Sequence, residues 1–227
     1  MKKNSFLLIL GFLFCFVSSL TLVSCKSNYL NSYKSPVLLD ITKEKDSNAF
    51  VNLKNYSNDF VYDMKYATAD NFLKEKVYPC GECFLRVKTV KALLEANTSF
   101  IAKGYKIKLY DCYRPKAIQK KMFKLVPDAN FVANPKKGSI HNRGGAVDIS
   151  LVDLNGIELD MGTQFDFFGK EASHNFLELS DEIVANRKFL KAIMLQNNFK
   201  SFDSEWWHYN LNGSNTDKVE NLKWNCN

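Results

Sequence analysis

An uncharged apolar run from Phe6 to Val17, set just behind Lys2 and Lys3, divides this chain before any question of fold arises. A basic start, an apolar stretch and a small-residue exit through Ser18 to Val23 read as a secretory signal peptide. A stretch this long also nearly spans a bilayer, so an uncleaved anchor is the other reading. Both readings put everything that folds outside the cytoplasm, where disulfides are permitted.

The exit Leu22-Val23-Ser24-Cys25 is similar to a bacterial lipobox. The resemblance implies cleavage before Cys25, lipidation of its thiol and a membrane-anchored periplasmic or cell-surface lipoprotein. The expected organisation is a signal at 1–24, a tether at 25–48 and a single domain at 49–227. The tether is rich in Ser, Asn and Lys. About 180 residues can bury one sizeable core but hardly two. A composition 46% hydrophobic and 24% charged excludes a disordered chain.

The formal charge of +7 invites a nucleic-acid reading. Cleavage would remove two of those lysines and no acid. The densest remaining set, Lys116, Lys120, Lys121 and Lys124, has the spacing of a solvated helix face. No basic and aromatic residues interleave as a base-stacking platform would require, so nucleic acid is excluded as a partner. Cys80, Cys83, Cys112 and Cys226 remain in the domain and allow three complete pairings. Cys80-Gly-Glu-Cys83 also admits a metal reading, but no second such motif and no nearby His supports it.

Three segments have helical periodicity: Leu85 to Ala102, Lys116 to Val126 behind Pro115, and a third capped by Ser180 through about Asn197. Strand alternation marks Lys106 to Tyr110 and Ala146 to Leu154. Asn155-Gly156 then predicts a hairpin turn into Ile157-Glu158-Leu159. The expected fold is α+β: a single domain with a mainly antiparallel sheet and flanking helices.

Two stretches carry chemistry. Ser139-Ile140-His141-Asn142-Arg143-Gly144-Gly145-Ala146-Val147-Asp148 sets a His seven residues before an Asp. On a straight strand that odd offset points the two apart, but Gly144-Gly145 permits a turn that brings them together. Glu205-Trp206-Trp207-His208 adds an acid and a second imidazole. Two His and one carboxylate with an open position form a common catalytic zinc shell, and a further acid can serve as base. Each piece also has a plainer reading: an exposed loop His, a turn-capping Asp, a core Trp pair. Asp111-Cys112-Tyr113-Arg114-Pro115 could be a strand end with a salt bridge.

Ser-x-His-x-x-Gly-x-Ala-x-Asp at 139–148 and Glu-x-Trp-His at 205–208 resemble the paired motifs of D-alanyl-D-alanine dipeptidases, the vancomycin-resistance type of zinc peptidase. Tyr62 to Thr68, Tyr113-Arg114-Pro115, Met161 to Asp166 and Asn186-Arg187 agree with it in order. The resemblance implies one zinc per chain on His141, Asp148 and His208. It makes Glu205 the general base and proton carrier to the leaving amine, and Arg114 the stabiliser of the oxyanion. Asp166 with Tyr66 would hold the free ammonium of a dipeptide, and Ser139 would meet its carboxylate. His174 receives no ligand role. Cys112 and Leu73-Lys74 depart from the family pattern without touching a proposed ligand. The lipoprotein signal favours cell-wall peptide turnover over antibiotic resistance, whose enzymes act in the cytoplasm. The rival readings are a murein D,D-carboxypeptidase or L,D-endopeptidase of the same superfamily, and a non-catalytic metal-binding lipoprotein. Oligomeric state is left open.

Overall fold

The computed structural model describes residues 38–226. The signal peptide, Cys25 and the first part of the tether lie outside them. Residues 38–48 run along the domain: the Leu39 amide donates to Asn55 O at 2.7 Å and the Tyr56 hydroxyl to Glu44 at 2.6 Å. Among the described residues no helix is long and apolar enough to cross a membrane.

The strands are β1 (Phe50–Asn52), β2 (Val61–Tyr62), β3 (Phe84–Arg86), β4 (Tyr105–Asp111), β5 (Ala146–Asp153), β6 (Phe199–Phe202) and β7 (Glu205–Leu211). The helices are α1 (Val87–Ile101), α2 (Lys116–Leu125) and α3 (Asp181–Gln196). Five strands form one sheet in the order β2-β4-β5-β7-β6, while β1 and β3 pair separately. The architecture is α+β. Every pair in the large sheet is antiparallel except β2 with β4, so the sheet is mixed at one edge.

Alternation along the central strands explains both faces of the sheet. Val147, Ile149 and Leu151 of β5, with Ile107 and Leu109 of β4, are fully buried in the main core. Leu93 and Phe100 of α1 and Leu190 and Met194 of α3 cover them. A fully buried side chain of this size contributes about 1.5–3 kcal/mol. The intervening residue Asp148 points to the opposite face. A second apolar cluster, Tyr66, Tyr78, Met122 and Val132, is separate from the main core. Ser180 caps α3, its hydroxyl accepting from the Ile183 amide, with Asp181 and Glu182 in the first turn as the helix dipole favours.

One expectation is corrected. Residues 84–86 form a strand, so α1 begins at Val87 instead of Leu85. Asn155-Gly156 turns the chain as expected, with Gly156 at φ +87°. The returning arm pairs on β5 through a bridge from Val152 to Glu158 and through the Asp153 amide on Ile157 O at 2.8 Å and the Leu159 amide on Leu151 O at 2.9 Å. Cys80 pairs with Cys226 and Cys83 with Cys112, so Cys80-Gly-Glu-Cys83 serves two separate disulfides and no metal.

Candidate active site

Three neighbouring strands set the first groups in a row. Asp148 on β5 is the register partner of Asp111 on β4 and of His208 on β7. His141 arrives from outside the sheet, on a 3-10 turn at His141–Arg143 that ends at Gly144 with φ +69°. A Cβ at Gly144 would lie 2.4 Å from the Phe50 ring, so only glycine serves this approach. The turn offsets the odd spacing between His141 and Asp148.

The three donor atoms converge. His141 Nε2 lies 3.2 Å from Asp148 Oδ1 and 3.1 Å from His208 Nδ1, and the last two are 2.9 Å apart. All three residues are buried and together form a group able to hold a metal ion. The far nitrogen of each ring is engaged. His141 Nδ1–H donates to Cys112 O at 2.6 Å and His208 Nε2–H to Asn210 Oδ1 at 2.9 Å, in the tautomers this network favours. Two imidazole lone pairs therefore face each other and a carboxylate. Such donors repel one another until a cation lies among them, and the residues fit that role.

Glu205 reaches the same point through an irregularity. From Ser201 to Phe202, β6 advances by one residue while β7 runs from Tyr209 back to Glu205. On a regular strand residues three apart face opposite sides. Here Glu205 Oε2 lies 3.8 Å from His208 Nδ1. Burial pushes the Glu205 carboxyl up to about 8, with His208 opposing the shift.

Arg114 stands on the other flank, its Nη2 3.5 Å from Asp148 Oδ2. Asp111 accepts from its Nε and Nη2 at 2.9 and 2.7 Å, and Gln119 Oε1 accepts from Nη1 at 3.0 Å. Asp111 in turn accepts from the Tyr78 hydroxyl at 2.8 Å and the Cys112 amide at 2.9 Å. Burial works against the Arg114 charge, but Asp111, Tyr66, Tyr78 and Asp148 together outweigh it and raise the guanidinium well above its ordinary value. Asp166 has φ +60° and accepts from the Tyr66 hydroxyl at 2.8 Å. Solvent reaches part of the residue, but its carboxyl is enclosed, and that burial pushes it up to about 8 against the Tyr66 hydrogen bond. Ser139 Oγ accepts from the His141 amide at 3.2 Å and so braces the turn.

Tyr66, Arg114, Ser139, His141, Asp148, Asp166, Glu205 and His208 all line one cavity of about 160 Å³. Phe72, Phe131, Phe168 and Phe202 also line it. A wider cleft of about 710 Å³ shares Asp166 and Phe72 with it but contains none of the three donors. The residues that sequence reading missed are the orienting ones. Asp111, Gln119, the Cys112 carbonyl and Asn210 hold Arg114 and the two imidazoles in place, so Cys112, expected to touch no proposed ligand, does meet His141 through its backbone. Asn210 carried a weak signal, two residues after His208 and hence on the same strand face. Asp111 stood in the stretch read as a strand end with a salt bridge, which it is.

Residues 46–222 match the Peptidase_M15 family, described as D-ala-D-ala dipeptidase. The chain belongs to the D-ala-D-ala dipeptidase family. It is 32% identical to the D-alanyl-D-alanine dipeptidase of Escherichia coli over 166 residues, covering 73% of this chain and 86% of that one. It is 30% identical to the D-alanyl-D-alanine dipeptidase of Enterococcus faecalis over 185 residues, or 72% and 92% of the two chains. A solved vancomycin-resistance D,D-pentapeptidase in complex with Zn(II) is a looser likeness. Its TM-score is 0.38 at 16% identity, over 58% of this chain and 75% of that one. As a member of the family the chain is a peptidase, and every residue of the cavity named above lies within the matched span.

Proposed function

We propose that this chain is a zinc dipeptidase that hydrolyses D-alanyl-D-alanine outside the cytoplasm, in the turnover of cell-wall peptides. One observation carries the reading: a base, a fixed cation and an enclosed carboxylate surround three convergent donors in a cavity of about 160 Å³. His141, Asp148 and His208 would hold the metal. Two imidazoles and a carboxylate suit zinc, and tetrahedral bonds of about 2.0–2.1 Å need donors about 3.3 Å apart, close to the spacing found. Zinc bound there supplies Lewis acidity toward the peptide carbonyl and acidifies a water.

The chain's own residues do the rest. Glu205, its Oε2 3.8 Å from His208 Nδ1, takes the proton from the attacking water and passes it to the leaving amine. Arg114, fixed in advance by Asp111 and Gln119, meets the charge that develops on the carbonyl oxygen. Asp166 with Tyr66 receives the substrate ammonium, and Ser139 its carboxylate. A cavity closed around both charged ends takes dipeptides and refuses longer chains.

The test compares D-Ala-D-Ala with N-acetyl-D-Ala-D-Ala. Acetylation removes the ammonium that Asp166 and Tyr66 would receive, so kcat/KM should fall by about 10²-fold or more. Asp166→Ala should lose activity on the free dipeptide and little on the acetylated one. Wild-type enzyme that cleaves both equally well would instead be a D,D-carboxypeptidase. Because Asp166 is raised to about 8, it is largely protonated below that pH and becomes charged above it. KM for the free dipeptide should therefore fall as pH rises from 6 toward 8.

The proposed location rests on the likeness of Leu22-Val23-Ser24-Cys25 to a lipobox. Cleavage before Cys25 and a lipid on its thiol would tether the enzyme to a membrane, facing murein fragments. Cys25→Ser should abolish labelling by a radioactive fatty acid and leave the precursor uncleaved. Labelling that persists in this variant would sink the lipoprotein assignment.

A further inference from the structure

The segment from Asp160 to Ser173 carries Asp166, yet its only helical or strand element is a short 3-10 turn at Lys170–Ala172. What holds it is a neighbouring helix. Arg187 of α3 is 4% exposed and spends its hydrogen bonds on backbone carbonyls of this segment. Its Nε donates to Met161 O at 2.7 Å, and its Nη1 to Glu171 O at 2.9 Å and Ser173 O at 3.1 Å. One planar guanidinium thus ties the two ends of the loop together. Asn186 adds a bond to Asp160 O at 3.0 Å, and Trp206 Nε1 donates to Thr163 Oγ1 at 2.8 Å. Between these ties Asp166 sits at φ +60°, a conformation a non-glycine residue keeps only when its surroundings hold it there.

We infer that Arg187 is a positioning residue that sets the affinity for the substrate ammonium by clasping the Asp166 loop. The inference rests on the reading of Asp166 given above. Arg187 lines no part of the catalytic cavity, so its effect reaches the substrate only through the loop. A loop ordered before binding spares the substrate the entropy of ordering it. A loosened loop leaves the metal donors, Glu205 and Arg114 where they are, because none belongs to the loop and Arg114 is held by Asp111 and Gln119. The loss should fall on KM and on the preference for a free amine. Lysine, with one ammonium at the end of a flexible stem, cannot span both ends of the loop as the fork does.

Zinc-loaded wild type, Arg187→Met and Arg187→Lys would be compared for zinc per chain and for kcat and KM on free and N-acetylated D-Ala-D-Ala. The expectation for Arg187→Met is unchanged zinc, kcat within about threefold, KM raised about tenfold or more, and a collapsed preference for the free amine. Arg187→Lys should fall between it and wild type. A wild-type preference that survives intact in Arg187→Met overturns the role of Arg187 alone. Equal handling of both substrates by the wild type overturns the Asp166 reading itself. Should Arg187→Met fail to fold, Asn186→Ala decides: a reduced preference supports the clasp, and an unchanged one overturns it.

Discussion

Glu205→Gln should keep the fold and the metal and lower kcat on D-Ala-D-Ala by about 10³-fold, the usual weight of a positioned general base. The amide is nearly isosteric with the acid, so the buried site is filled as before. It cannot accept a proton from the attacking water, nor deliver one to the leaving amine. Because Glu205 is not among the three convergent donors, zinc per chain should match wild type by elemental analysis. KM should change little, since the lost interaction belongs to the transition state. A Gln variant that turns over within tenfold of wild type would remove Glu205 from the chemistry.

The second large effect is on the metal. His141→Ala and His208→Ala should each lose most of their zinc, and activity with it. Each ring is held at its far nitrogen, by Cys112 O or Asn210 Oδ1, and so presents its donor already aimed. Removing one ring leaves two donors, too few for a stable site. Thermal denaturation supplies an independent readout. Zinc at a thousand times its Kd should stabilise wild type by about 4 kcal/mol, and the two variants by far less. Equal zinc content and an equal thermal shift in both variants would refute the ligand set.

Much of this site is legible before folding because local rules converge on it. The alternation of Val147, Ile149 and Leu151 marks β5 and sends Asp148 to the face away from the core. Gly144 announces a turn where His141 needs one. What sequence conceals depends on long-range register. Glu205 and His208 share a face only because β6 and β7 fall out of step there. Asp111 gains its meaning from pairing opposite Asp148 across strands distant in the chain. β2 has two residues, too few to show any period, so its parallel pairing at the edge of a mainly antiparallel sheet carries no signal in the sequence. The cysteines follow the same logic. Cys83 meets Cys112, and Cys80 meets Cys226, through contacts that spacing along the chain does not encode.

The central claim, that His141, Asp148 and His208 hold a zinc on which dipeptide cleavage depends, is tested most directly by one titration. Metal-stripped protein receives zinc in measured fractions of an equivalent while D-Ala release from D-Ala-D-Ala is followed. Activity should start near zero, rise linearly and level off at one zinc per chain, with two D-Ala released for each dipeptide consumed. Full activity in the stripped protein, or no release from D-Ala-D-Ala at one bound zinc per chain, would contradict it.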